Sequence, residues 1–162
     1  MLCAAVAVLA TVAAVRHHQR PEARLRRQIR RLAARMEKAG PESALAAAGR
    51  AREISDHFTQ EPRLDIPMLP HVPHRRSELT TGVFQARAMV ESLRIRIHDL
   101  RVDLTGDGTE ARMTLSATVT ARMGGDAERA SRAFEIDWKL EGDGWRIAAV
   151  REQRPLRHLP AN

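Results

Sequence analysis

Cysteine is almost absent from this chain of 162 residues: Cys3 stands alone, so an intrachain disulfide is excluded. It lies inside an apolar run, too near the start for a typical lipoprotein signal, and reads as a bystander thiol. No Cys/His cluster has the spacing of a structural metal site, so no metal and no cofactor is expected. Aromatics are scarce, with three Phe, two Trp and no Tyr, so the packing must rest on Leu, Ile, Val, Met and Ala. That scarcity also argues against nucleic acid, which calls for stacking side chains or a recognition helix. Lysine is nearly missing too, leaving arginine to carry a formal charge of +7. The excess is local: residues 16–35 hold eight Arg and one Glu, and the remainder is balanced.

With 43% apolar residues the chain is globular, with room for one domain and an appendage. Residues 2–15 are apolar except for Thr11. As a helix they would span about 21 Å, short of the roughly 30 Å hydrocarbon core. The run is long enough for a signal-like segment, yet no basic residue precedes it and many follow. Residues 1–15 are therefore expected to form an apolar helix, a retained membrane anchor or signal-like segment, and residues 16–23 a basic linker. The positive-inside rule puts the domain in the cytoplasm; a true start further upstream would put it outside. Arg16, Arg20, Arg24, Arg27 and Arg31 are then the residues placed to meet anionic headgroups.

Pro21-Glu22 starts a first helix whose apolar stripe is Leu25, Ile29, Leu32 and Met36, closed by Gly40-Pro41. A second helix carries Ala47, Ala51, Ile54 and Phe58 on one face. Four prolines from Pro62 to Pro73 leave room only for a short edge strand at 63–68. Ser77 is the expected N-cap of a third helix with Leu79, Val83, Ala86 and Val90 on its apolar face. Residues 93–104 form a strand whose apolar phase runs Leu93, Ile95, Ile97 and then slips to Leu100, Val102, Leu104, which predicts a β-bulge at His98-Asp99. After the turn at 105–108, three strands follow at 110–123, 128–141 and 145–153, each alternating apolar and polar. The pattern predicts a bent antiparallel sheet, wet on one face and covered by helices on the other.

The order helix, helix, short strand, helix and four long strands resembles the nuclear transport factor 2-like superfamily, also called SnoaL-like. The carrying residues are Ile54-Ser55-Asp56-His57-Phe58, the helical stretch 77–90, Phe134-Glu135-Ile136-Asp137-Trp138-Lys139-Leu140, and Gly142-Asp143-Gly144-Trp145-Arg146-Ile147. The chain also resembles bacterial members with an N-terminal anchor and a basic first helix. The resemblance implies an α+β fold over 24–153, a cone-shaped curved antiparallel sheet wrapped around three helices, with 154–162 as a tail.

That superfamily holds isomerase-, dehydratase- and cyclase-type enzymes as well as non-catalytic binding and assembly domains, and the enzymes project an Asp or an Asp/His pair into the cone. On the apolar faces here stand Met113, Leu115, Phe134, Ile136 and Trp138, with Glu135 and Asp137 pointing outward. The expectation is a membrane-anchored, non-catalytic module whose mostly apolar cone takes a small apolar ligand, with a homodimer formed through the sheet. The alternative is a small isomerase or dehydratase using His98 and Asp99, or Asp65, as acid and base. His71 and His74 with Asp65 read as a polar loop rather than a metal set, and Asp56-His57 as a solvated helix end.

Overall fold

A computed structural model describes residues 21–67, 72–142 and 144–153. The apolar run at 2–15, Arg16, Arg20, His71 and the tail lie outside the described residues. Helix α1, Pro21–Met36, starts on its proline, carries Glu22 in the first turn and Arg35 in the last, and buries Leu25, Ile29 and Leu32. It stops at Met36, four residues before the expected Gly40. The chain then runs along the sheet margin, where Lys38 bridges Leu93. The Lys38 ammonium donates to the carbonyls of Arg87 (2.7 Å) and Val90 (2.6 Å) at the end of the third helix. Helix α2, Ala44–Ser55, is capped by Ser43, whose hydroxyl accepts from the Ala46 amide. Its small residues Ala47 and Ala51 are buried with Ile54.

Helix α3, Arg76–Met89, begins one residue before the expected cap: Ser77 lies within the helix, and the Glu78 carboxylate accepts from the His74 amide instead. Its covered face also differs. Leu79 and Arg87 are buried whereas Ala86 is exposed, because an ion pair described below draws Arg87 inward.

Strands β1 (Phe58–Asp65), β2 (Ser92–Thr105), β3 (Glu110–Met123), β4 (Asp126–Glu141) and β5 (Gly144–Gln153) make one sheet in the order β1-β5-β4-β3-β2. The four long strands pair antiparallel, but β1 joins β5 in parallel, so the sheet is mixed rather than wholly antiparallel. The edge strand is also earlier and longer than the 63–68 read from the prolines. Pro62 is accommodated because an edge strand has backbone amides that need no ladder partner.

Two bulges bend the sheet. One interrupts the β2–β3 register between His98 and Arg101, where Asp99 takes φ 49°. The other breaks the β4–β5 register between Asp137 and Trp138, where Ala148 is the extra residue. A bulge adds twist and curvature, so the sheet folds over the helices. One apolar cluster fills the concave side, drawing Leu25, Ile29 and Leu32 from α1, Leu79 from α3 and the inward residues of every strand.

Candidate functional site

The register assigns each strand residue to a side. On the concave side Met113 lies opposite Ile136, Leu115 opposite Phe134 and Ala111 opposite Trp138. The five residues expected to line a pocket are therefore neighbours, and all belong to the central cluster. Met113 and Trp138 are completely buried, Leu115 and Ile136 nearly so, and Phe134 half-buried. Trp138 carries an anomaly: its Nε1–H is buried and has no acceptor among the described residues. Buried donors are normally satisfied, and leaving one unmet costs about 1–3 kcal/mol.

Few ionisable groups share this side. Arg132 lies opposite Ala117 on β3, Glu152 opposite Phe134 on β4, and the two meet at 2.9 Å, with the Glu152 side chain only 14% exposed. The pair is invisible to periodicity, since it puts two charges on the apolar phase of β4 and β5.

His57, just before β1, is the other group that the sequence misplaced. It is half-buried rather than a solvated helix end: the Gln28 amide lies 3.2 Å from its Nδ1 and also donates to the Trp145 carbonyl at 2.8 Å. With Gln28 donating to Nδ1, the imidazole proton sits on Nε2. Burial, helped by the nearby Arg35 and Arg146 cations, holds the imidazole below its usual range, so it is neutral near pH 7. A histidine with a lowered folded pKa is protonated first in the unfolded chain, so stability falls as pH drops below about 6.5. His57→Gln is expected to flatten that fall in urea titrations between pH 7 and 5, while leaving the pH 7.5 midpoint little changed.

The proposed acid–base residues lie elsewhere. His98 pairs opposite Ser116 on the convex side, 3.4 Å from the Thr118 hydroxyl, and both His98 and Asp99 are exposed. Neither lines the cone: the bulge leaves both exposed. Asp65 is exposed at the end of β1, in register with Arg151. Of the basic residues on α1, Arg24 and Arg31 are exposed and Arg27 is half-buried. Among the described residues no group of three or more His, Cys, Asp or Glu is disposed to hold a metal ion, and no helix is long and apolar enough to cross a membrane.

The convex side is polar and divided. Toward the β4–β5 bulge, Arg151 donates to Glu135 (2.7 Å) and Asp137 (2.6 Å), and Arg112 reaches Asp137 at 3.4 Å. Toward the far end of the sheet, Arg94, Arg96 and Arg129 have no such partner among the described residues.

A family model for the SnoaL-like domain matches residues 21–151, the whole span from α1 into β5. The chain belongs to the SnoaL-like family. Similar solved structures agree on the fold. A Novosphingobium aromaticivorans protein provisionally assigned as a scytalone dehydratase superposes with a TM-score of 0.65 at 8% identity, covering 80% of each chain. Aln2 from a Streptomyces species gives 0.62 at 13% identity, covering 80% of this chain and 87% of its own. An NTF2-like protein with a cystatin-like fold, also from N. aromaticivorans, gives 0.58 at 20% identity over 88% and 87%. No curated protein sequence matches. At such identities the SnoaL-like likeness extends to the cone and its topology, and function has to be argued from the residues inside it.

Proposed function

We propose that this SnoaL-like domain is a non-catalytic binding module whose apolar cone takes a small apolar ligand carrying one hydrogen-bond acceptor. The buried Trp138 N–H without an acceptor carries this reading. A carbonyl or ether oxygen on an otherwise apolar molecule would satisfy that donor, while Met113, Leu115, Phe134 and Ile136 would meet the rest by dispersion. The pairing of Arg132 with Glu152 and the exposure of His98, Asp99 and Asp65 fit the same reading, because an acid or base must reach the substrate. The apolar run at 2–15 would tether the module to a membrane.

The runner-up is an isomerase- or dehydratase-type enzyme, and the observation in its favour is His57, held neutral and half-buried as a general base must be. Its exposed neighbour Asp56, with a side chain 72% accessible, supplies no buried carboxylate to orient it.

The test is native mass spectrometry of the full chain extracted in mild detergent, with organic extraction of whatever co-purifies. The expected result is a stoichiometric apolar molecule bearing an acceptor. Trp138→Phe keeps an aromatic ring but removes the donor, and should weaken its retention by on the order of tenfold. An empty wild-type cone, or equal retention by the variant, would overturn the reading.

A further inference from the structure

The chain outside residues 16–35 is balanced in charge, but the fold does not distribute that charge evenly. On the convex side, the strand register builds two cross-strand rows: Arg94–Thr120–Arg129 and Arg96–Thr118–Ser131. Arg122 stands in the next row, opposite Ser92. These four arginines come from three strands and are brought together only by the pairing. None of the four has a carboxylate within ion-pair distance among the described residues, whereas Arg112 and Arg151, toward the other end of the same face, meet Glu135 and Asp137.

Two acids beside the patch also bind backbone amides. Glu37 accepts from the Ile95 amide at 3.0 Å, and Glu91 from the Gly125 amide at 3.1 Å. Four guanidinium groups gathered with a single carboxylate, Glu37, in the cleft wall repel one another and keep a positive potential that a bound anion would relieve.

The patch is concave. Residues 37–39 run beside β2 and wall a cleft of about 450 Å³ whose other sides are Arg94, Arg96 and Arg129 and whose floor is Thr118 and Thr120. Thr118 is 8% exposed, and its hydroxyl is fixed by Ser131 at 3.0 Å and His98 at 3.4 Å. Alternate strands lie about 10 Å apart, so Arg94 and Arg129 flank the Thr120 position as two arms of a clamp. Planar guanidinium forks match phosphate oxygens in bidentate pairs, and the two hydroxyls add neutral donors between them.

We propose that this cleft is a binding site for a diphosphate group, held by Arg94, Arg96 and Arg129 over the Thr118 and Thr120 hydroxyls, with Arg122 adding charge from the adjacent row. The size favours a compact anion over an extended polymer, since the wall at 37–39 closes one side. Four cations are enough to neutralise a diphosphate. The site is separate from the cone and independent of what fills it. The diphosphate belongs either to a soluble metabolite or to the headgroup of a lipid, and both present the same oxygens.

The experiment is isothermal titration of the full chain in detergent with inorganic pyrophosphate at low and high salt. Saturable binding is expected, weakening as salt rises. In Arg94→Gln/Arg129→Gln it should fall by tenfold or more, while Arg24→Gln/Arg31→Gln, on α1, should bind as the parent does. Thermal melts without ligand check that the sheet variant is folded; an exposed substitution of this kind should change stability little. A second arm uses phosphatidylcholine vesicles with and without a polyprenyl diphosphate. Enhanced association that the Arg94/Arg129 variant loses assigns the group to a lipid, and its absence beside pyrophosphate binding assigns it to a soluble ligand. Pyrophosphate binding unchanged in the sheet variant, or lost equally in the α1 variant, overturns the site. So does binding of a single-stranded oligonucleotide with no response to pyrophosphate.

Discussion

Arg87→Ala should lower the unfolding free energy of this domain by about 3 kcal/mol, a loss usual for a buried ion pair stripped of one partner. The Arg87 side chain is only 8% exposed in the last turn of α3, on the face otherwise given to Leu79. Its guanidinium donates to both oxygens of Glu42, at 3.1 and 2.5 Å, and to the Met36 carbonyl at 3.0 Å. One side chain thus ties the end of α1, the α1–α2 connection and α3 together. Alanine leaves a carboxylate that is 19% exposed and a helix-end carbonyl without their donors, in addition to a void. Urea unfolding at pH 7 measures the loss. The double variant Arg87→Ala/Glu42→Ala should cost clearly less than the sum of the two single changes, because the second removes the charge that the first strands.

The same pair predicts a pH signature. Its hydrogen bonds from Arg87 hold the Glu42 carboxyl below the ordinary 4.5. A depressed folded pKa means that the unfolded chain takes up the proton first as pH falls. The stabilisation is therefore complete above the unfolded pKa and drains away as pH drops through the folded one. The stability difference between wild type and Arg87→Ala should be full at pH 7 and shrink in acid below about 4. A constant difference across that range would mean that Arg87 acts only by filling space.

The long strands were legible because each has one wet face and one dry face, and alternation records that directly. The slip of phase within β2 even marked the bulge at His98 and Asp99, since a change of face leaves a mark in the pattern. The second bulge left none: Ala148 and Ala149 sit side by side between Ile147 and Val150, and two small residues define no face. The parallel β1–β5 pairing was hidden for a related reason. The register of β1 itself shifts between Phe58 and Arg63, so the strand shows no clean period, and its prolines suggested a break.

At the candidate site the apolar set was readable and the polar set was not. Met113, Leu115, Phe134, Ile136 and Trp138 lie on neighbouring strands in the phase their periodicity demands. The His57–Gln28 contact joins residues 29 positions apart, and Arg132 meets Glu152 only through the β4–β5 ladder. Arg94, Arg96, Arg122 and Arg129 look like scattered surface charge until the register stacks them. Pairing across strands is a three-dimensional fact that composition does not encode.

The other large effect belongs to the centre of the cone, where Trp138→Ala should cost about 4 kcal/mol. Trp138 is the largest of the fully buried side chains, set between Ala111 on β3 and Ile147 on β5. The methyl of Ala111 leaves the width that an indole needs, so the site is matched to one bulky residue and cannot close when that residue is lost. Trp138→Phe should cost much less, because most of the apolar contact survives and the unmet N–H disappears. The ordering of these two variants separates packing from hydrogen bonding. Added indole should then raise the melting temperature of Trp138→Ala by more than that of wild type, since a dry apolar void binds a ligand of its own shape. If indole also stabilises wild type, the cone already has room beside Trp138, and the buried donor faces a space that a natural ligand with an acceptor can enter. If indole stabilises neither and Trp138→Ala unfolds with a loss of less than about 1 kcal/mol, the interior is not close-packed around this residue. Neither a filled core nor a shaped ligand site then survives as its description.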